Sequence, residues 1–126
     1  MGLQLSTPIL VVDDLRAVVT IVRGLLRQLG FENVDDAGDG AAALGKLKQK
    51  KYGLVICDWS MAPMTGYELL RQMRTDANLR ATPFIMASAE PRMENVIAAK
   101  KAGASNYILK PFNAQTLKAK IAGVCG

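Results

Sequence analysis

Pro8-Ile9-Leu10-Val11-Val12-Asp13-Asp14 is a continuous apolar run that stops abruptly at two acids. A strand with one wet face alternates apolar and polar residues, so a run without alternation predicts a strand buried on both faces. The pattern recurs at Leu54-Val55-Ile56-Cys57, which also ends in an acid, Asp58. Between the two runs, Leu15, Val18, Val19, Val22, Leu25, Leu26 and Leu29 return at helical spacing. Gly30 follows where a left-handed cap would stop that helix. A short second strand around 33–37 leads to the turn signal Asp39-Gly40, and 41–50 reads as a helix.

Beyond Asp58, a loop with Pro63 and Gly66 precedes a helix carrying Leu69, Leu70 and Met73. Residues 83–87 predict a fourth strand, and Pro91 is placed to open a fourth helix. Tyr107-Ile108-Leu109 closes the sheet before Lys110-Pro111, and Asn113 suits the N-cap of a last helix with Leu117, Ile121 and Val124. Five strands thus alternate with five helices through short connections. That order predicts an α/β fold, a doubly wound (βα)5 unit whose five-stranded parallel sheet is covered by helices on both faces.

The 126 residues amount to one domain, with the core expected at about 8–124 and no linker or repeat. Half the chain is hydrophobic and 21% is charged, the balance of a folded chain. No apolar run approaches the ~18 residues that span a bilayer, and no secretory signal is apparent, so a membrane location is not expected. Two cysteines, Cys57 and Cys125, make no disulfide framework and suit a reducing cytoplasm. The chain contains no histidine, which excludes a His-based triad, a HExxH zinc helix and phosphotransfer through its own imidazole. The net charge of +5 permits a nucleic-acid or acidic-peptide partner without selecting one. The Lys46, Lys48, Lys50, Lys51 cluster reads as a solvated helix end, where cations suit the helix dipole.

In open α/β sheets, ligands bind beyond the carboxyl ends of the strands, where the strand order reverses. The polar residues at those ends are Asp13 and Asp14, Asp58, Ser88 and Lys110. With the common strand order 2-1-3-4-5 the first and third strands are neighbours, and three carboxylates converge. They repel one another unless a hard divalent cation such as Mg²⁺ and the Lys110 ammonium offset them. A cation, an ammonium and a hydroxyl around one carboxylate form a cradle for phosphoryl oxygens, with the carboxylate as nucleophile. Taken singly, each acid reads as a helix cap, Ser88 as a turn hydroxyl and Lys110 as a surface charge; only the coincidence of four strand ends favours chemistry.

The motifs Val11-Val12-Asp13-Asp14, Asp58-Trp59-Ser60-Met61, Pro63-Met64-Thr65-Gly66-Tyr67-Glu68-Leu69-Leu70, Ser88-Ala89-Glu90 and Asn106-Tyr107-Ile108-Leu109-Lys110-Pro111-Phe112 resemble those of response-regulator receiver domains. Within that family the chain is most similar to the single-domain, CheY-like chemotaxis regulators, and the resemblance runs from about Pro8 to Val124. It implies a flavodoxin-like fold and Asp58 as the phosphoacceptor for a CheA-like histidine kinase. Asp14 and Asp58 would ligate Mg²⁺ directly, Asp13 through water and Ser60 by its backbone carbonyl. Ser88 and Lys110 would hold phosphoryl oxygens, Lys110-Pro111 would be cis, and Tyr107 would move inward as Ser88 is drawn to the phosphate. Such a protein is no enzyme beyond assisting its own phosphorylation and dephosphorylation.

Three departures stand out. Ser88 occupies a position where threonine is commoner, and so lacks the methyl that helps gate Tyr107. Ser60 stands where chemotaxis regulators often carry asparagine; with Glu90, that position tunes the phosphoryl lifetime in the family. Pro63 falls one residue late, with Ala62 in the usual proline position.

Two nucleotide-binding patterns are near misses. Gly40-x-x-x-x-Gly45-Lys46 lacks the final hydroxyl of a phosphate loop, since Leu47 stands there. Gly38-x-Gly40-x-x-Ala43 mimics a dinucleotide fingerprint but follows a strand carrying Asp35 and Asp36. Met1-Gly2 with Ser6 fits a myristoylation signal, and a polar leader explains it equally well. An aspartate-nucleophile phosphatase would show Asp-x-Asp where this chain has adjacent acids, and would need a further substrate domain.

No effector domain follows Val124, so the expected output is a surface on a cytoplasmic monomer without direct DNA binding. Lys100, Lys101, Tyr107, Lys118 and Lys120, on the fourth helix, fifth strand and fifth helix, would form it. The expected partner is a flagellar motor switch protein, offering an acidic amphipathic peptide. The alternative is a phosphorelay intermediate or phosphate sink that hands its phosphoryl group to a histidine phosphotransfer protein.

Overall fold

A computed structural model describes residues 4–90 and 92–125. In chain order the elements are β1 (Ile9–Val12), α1 (Arg16–Gln28), β2 (Val34–Ala37), α2 (Gly40–Gln49), β3 (Leu54–Asp58), α3 (Gly66–Thr75), β4 (Phe84–Ser88), α4 (Met93–Ala102), β5 (Asn106–Leu109) and α5 (Ala114–Cys125). All strand pairs are parallel, in the order β2-β1-β3-β4-β5. The expected doubly wound (βα)5 sheet is therefore present. No helix among the described residues is long and apolar enough to cross a membrane. Met1-Gly2 and Pro91 lie outside the described residues, and α4 begins at Met93 after an Arg92 N-cap.

Strand side chains alternate between the two faces of a sheet, and that period divides the core in two. Leu10, Val12, Val55, Cys57, Phe84 and Met86 pack on one face with Ala43 and Leu47 of α2, Leu69, Leu70 and Met73 of α3, and Ala99 of α4. Ile9, Val11, Leu54, Ile56, Ile85, Ala87 and Ile108 pack on the other, against Val22 and Leu26 of α1 and Leu117 and Ile121 of α5. Central strands buried on both faces explain the unalternated apolar runs. β2 lies at the sheet edge, which is why it tolerates Asp35 and Asp36.

Local chemistry sets the helix ends. Gly30, at φ +101°, takes the left-handed conformation that ends α1. Asn113 Oδ1 accepts the Thr116 N–H at 2.8 Å, as its position before α5 predicts. The Asp39 carboxylate accepts the Ala42 N–H at 2.7 Å, so Gly40, Gly45 and Lys46 lie in a helix and not in a phosphate loop. One expectation for α1 needs correcting. Val19, Val22 and Leu26 are buried, but Leu15 is the exposed N-cap, because Asp13 turns the chain outward before the helix begins.

The edge acids are ion-paired. Asp36 holds Arg16 at 2.8 Å and also Arg23, while Asp35 accepts from Tyr52 Oη at 2.6 Å and Lys50 Nζ at 2.9 Å. For Asp35, the Tyr52 hydroxyl and then Lys50 hold the carboxyl below its ordinary value. Burial alone would raise Asp36, but hydrogen bonds from Arg16 and Arg23 outweigh it and the value falls. A carboxyl depressed by folding adds stability above its unfolded pKa and loses that stability as pH drops through the folded value. Asp36→Asn is thus expected to cost less than about 1 kcal/mol near neutrality. The deficit should shrink as pH falls below the ordinary carboxylate range and the Asp36 carboxyl takes up its proton. Urea titrations of both proteins across that range check it; a deficit independent of pH would contradict it.

Candidate functional site

The carboxyl ends of β1, β3, β4 and β5 open onto one edge of the sheet. Just past β1, Asp13 is pinned by its own backbone, since its N–H donates to the Ala37 carbonyl at 3.1 Å. Its Oδ1 accepts the Leu15 N–H at 3.0 Å, which leaves Oδ2 to face Lys110 Nζ at 2.7 Å. Asp58 is the last residue of β3, and its Oδ1 lies 2.8 Å from the same ammonium. Lys110 follows β5 and is held by its N–H on the Ser88 carbonyl at 2.9 Å. Asp14 is exposed at the mouth, and Asp13, Asp14 and Asp58 each offer one oxygen within 4.8 Å of the others.

Three carboxylates and one ammonium leave two negative charges in a largely buried pocket, with Asp13 at 3% and Asp58 at 8% exposure. Burial pushes the Asp58 carboxyl above its ordinary value, and the charges of Asp13 and Asp14 add to that against the opposing pull of Lys110. Burial acts to lower Lys110, but hydrogen bonds to Asp13 and Asp58 outweigh it and hold the ammonium above its usual range. The donor set is all oxygen, compact, and short of two positive charges, which fits a hard divalent cation such as Mg²⁺.

Two further side chains line the same edge through a shared residue, Glu90. Ser88, at the end of β4, is buried, and its Oγ accepts the Glu90 N–H at 3.0 Å. The Tyr107 hydroxyl donates to the Glu90 carbonyl at 3.3 Å, so its ring is already turned inward and buried. Ser60 stands exposed on the β3–α3 loop, and Trp59 beside it stacks on Tyr67 at 5.4 Å between ring centroids. That loop closes tightly. Gly66 N–H donates to the Trp59 carbonyl at 2.9 Å, and a Cβ at Gly66 would collide with the Asp58 carbonyl. Thr65 and Glu68 form a reciprocal cap that starts α3 at this point.

The expected partner residues are brought together only in part. Lys100, Tyr107 and Lys120 line a depression of about 320 Å³ with Met93, Val96, Asn106 and Leu109. Lys101 is exposed on α4. Lys118 points elsewhere, into a groove with Leu5, Gln28, Leu29 and Phe31, because two residues along a helix turn about 200°. An apolar depression of about 130 Å³ escaped the sequence: Val18, Ile21, Val22 and Leu25 of α1 meet Pro111 and Phe112 beside Lys110. Exposed Ile21 among the helical apolar positions was its one local signal.

Comparison with known proteins gives consistent matches. The model of the response regulator receiver domain family matches residues 9–122. The chain is 44% identical over 119 residues to the chemotaxis protein CheY-3 of Vibrio cholerae, covering 94% of this chain and 92% of that protein. The solved structure of Vibrio cholerae CheY4 superposes with a TM-score of 0.88 at 32% identity, covering 94% of this chain and 98% of that one. The receiver domain of a sensor histidine kinase from Pseudomonas aeruginosa PAO1 superposes with a TM-score of 0.83 at 27% identity, covering 92% and 94%. That domain was solved with a magnesium ion coordinated in its active site cleft.

Proposed function

The chain belongs to the response regulator receiver domain family, and from that membership we propose that it takes a phosphoryl group on Asp58 from a CheA-like histidine kinase and thereby changes its affinity for a chemotaxis partner. Residues of about 8–124 act as one receiver unit. The observation that carries the proposal is the sharing of the Lys110 ammonium by Asp13 and Asp58 within a pocket of three converging carboxylates. A cytoplasmic location goes with it, supported by the free, buried thiol of Cys57.

In the proposed reaction an Asp58 carboxylate oxygen attacks the phosphorus of the donor's phosphohistidine. The new O–P bond forms as the N–P bond breaks, and the electron pair returns to the donor imidazole, which takes a proton from solvent. Asp14 and Asp58 would hold Mg²⁺ directly, Asp13 through water and Ser60 by its backbone carbonyl; when bound, the ion neutralises charge on the transferring oxygens. Lys110 stays anchored to Asp13 while it meets a phosphoryl oxygen. Ser88 supplies its hydroxyl to another.

Switching would then run through Glu90. Its N–H is held by Ser88 and its carbonyl by Tyr107, so drawing Ser88 toward the phosphoryl group pulls on the residue whose carbonyl seats the tyrosine. Tyr107 borders the depression formed by α4, β5 and α5, where Lys100 and Lys120 flank exposed Met93 and Leu109. That mixture suits an acidic amphipathic helix, such as a flagellar motor switch protein would offer. An acidic amphipathic peptide is expected to bind the beryllofluoride-treated protein at least about tenfold more tightly than the untreated one, a differential of about 1.4 kcal/mol. Fluorescence anisotropy checks it; equal affinities would remove the switching proposal.

The apolar depression beside Lys110 supports a second reading, a relay role. A histidine phosphotransfer protein must bring its imidazole to Asp58, and an apolar helical surface would cover Ile21 and Phe112 as it did so. Transfer of label from the phosphorylated chain to such a protein, faster than loss to water, would favour the relay.

A further inference from the structure

The β3–α3 loop, which carries Ser60, is fastened at a place the phosphoryl chemistry does not require. Its start and end are tied by Asp58, Trp59 and Gly66, and Met61 is buried beneath it. Between these ties, Met64 reaches across to the first residue of α2. A Cβ at Gly40 would lie 2.5 Å from Met64 Sδ, 2.8 Å from Cγ and 2.9 Å from Cβ. The side chain thus rests directly on the Gly40 backbone. Contact with Met64 Cβ matters, because a rotamer change moves Cγ and Sδ but leaves Cβ fixed to the loop backbone. Gln72 Nε2 of α3 stands 3.9 Å from the same sulfur, and Gly40 is itself buried.

We propose that Gly40 and Met64 form a latch that holds the β3–α3 loop, and with it the Ser60 carbonyl, at the height the carboxylate pocket requires. Both are positioning residues, acting on the site through Ser60. This rests on the function proposed above, since Ser60 matters only if the pocket takes a divalent cation and a phosphoryl group. Gly40 is needed for space and not for its φ, which is not in the left-handed region. Any side chain there must lift Met64, and Met64 is bonded to the loop that Ser60 stands on.

The test uses the full chain and three variants: Gly40→Ala, Met64→Ala and the pair together. Mg²⁺ alone is titrated, read by the fluorescence of Trp59 next to Asp58, and loss of label from native phosphorylated protein is followed in acid-quenched aliquots. Amide exchange at Gly66, whose N–H is held by Trp59, is measured without metal. Gly40→Ala is expected to weaken Mg²⁺ binding about tenfold, the usual scale for groups that orient a ligand. It should also speed Gly66 exchange. Met64→Ala should weaken Mg²⁺ in the same direction by loosening the loop. The double variant should recover part of the Mg²⁺ affinity lost in Gly40→Ala, because removing Met64 Cγ and Sδ relieves the two shortest contacts and leaves only the one to Cβ.

Unchanged Mg²⁺ affinity and lifetime in folded Gly40→Ala would overturn the latch. If Gly40→Ala does not fold, Met64→Ala decides alone, and wild-type Mg²⁺ affinity in that protein would also overturn it. Failure of the wild-type chain to take label from acetyl phosphate with Mg²⁺ would be a different outcome. That would sink the proposed function itself, and Gly66 exchange in metal-free protein would still report whether the loop is fastened.

Discussion

Asp58→Asn protein incubated with acetyl phosphate and Mg²⁺ is expected to incorporate label at background level only. An amide oxygen accepts a hydrogen bond from Lys110 much as the carboxylate does, but it is not a nucleophile at neutral pH. The same change removes a charge that the fold disfavours. Burial lifts the Asp58 carboxyl above its ordinary value, and Asp13 and Asp14 lift it further. A carboxyl raised by folding costs stability once pH climbs past its unfolded value, and the cost is complete above the folded one. Metal-free Asp58→Asn is therefore expected to be more stable than wild type near neutrality. Saturating Mg²⁺ should narrow the difference, because the ion offsets repulsion that the variant partly lacks. Labelling and urea midpoints with and without Mg²⁺ check both halves. Undiminished labelling would move the acceptor elsewhere, and a less stable metal-free variant would mean the pocket is not repulsive.

Lys110→Ala should separate metal binding from phosphorylation. Lys110 Nζ is 2.7 Å from Asp13 and 2.8 Å from Asp58, so its removal leaves three acids without a cation. Losing a preorganised cation from the transferring oxygens is expected to slow labelling about 100-fold. Mg²⁺ should bind more tightly, since the pocket then carries a full additional negative charge. In metal-free protein the loss should cost about 1–3 kcal/mol, the scale for leaving a buried charged partner unsatisfied. Much of that should return on adding Mg²⁺. Weaker Mg²⁺ binding in the variant would show that Lys110 organises the pocket sterically and not by charge.

These expectations depend on contacts of very different visibility in the sequence. The five strands were readable because burial on both faces forbids polar residues in a central strand, and each apolar run records that locally. Asp13, Asp14, Asp58, Ser88 and Lys110 were readable as strand ends for the same reason, and parallel order then sends them to one edge. β2 was readable as a weak strand, but only its edge position, with Arg16, Arg23, Lys50 and Tyr52 in reach, explains its two acids. The helices were less legible. Leu15 fits the helical period of α1 yet is exposed, because the Asp13 turn delays the helix past it. Lys118 and Lys120 are near neighbours in sequence and face different grooves.

The sequence by itself determined the sheet, its strand ends and the family motifs, since each depends on a short run of residues and on the period-two geometry of extended chain. Only the tertiary structure decided which side chains meet: Lys110 with both Asp13 and Asp58, Tyr107 turned inward onto Glu90, and Met64 seated on Gly40. Such meetings are set by how far each helix is rotated and slid against the sheet. That rotation is a compromise among all the packed faces at once, and no local stretch of chain encodes it.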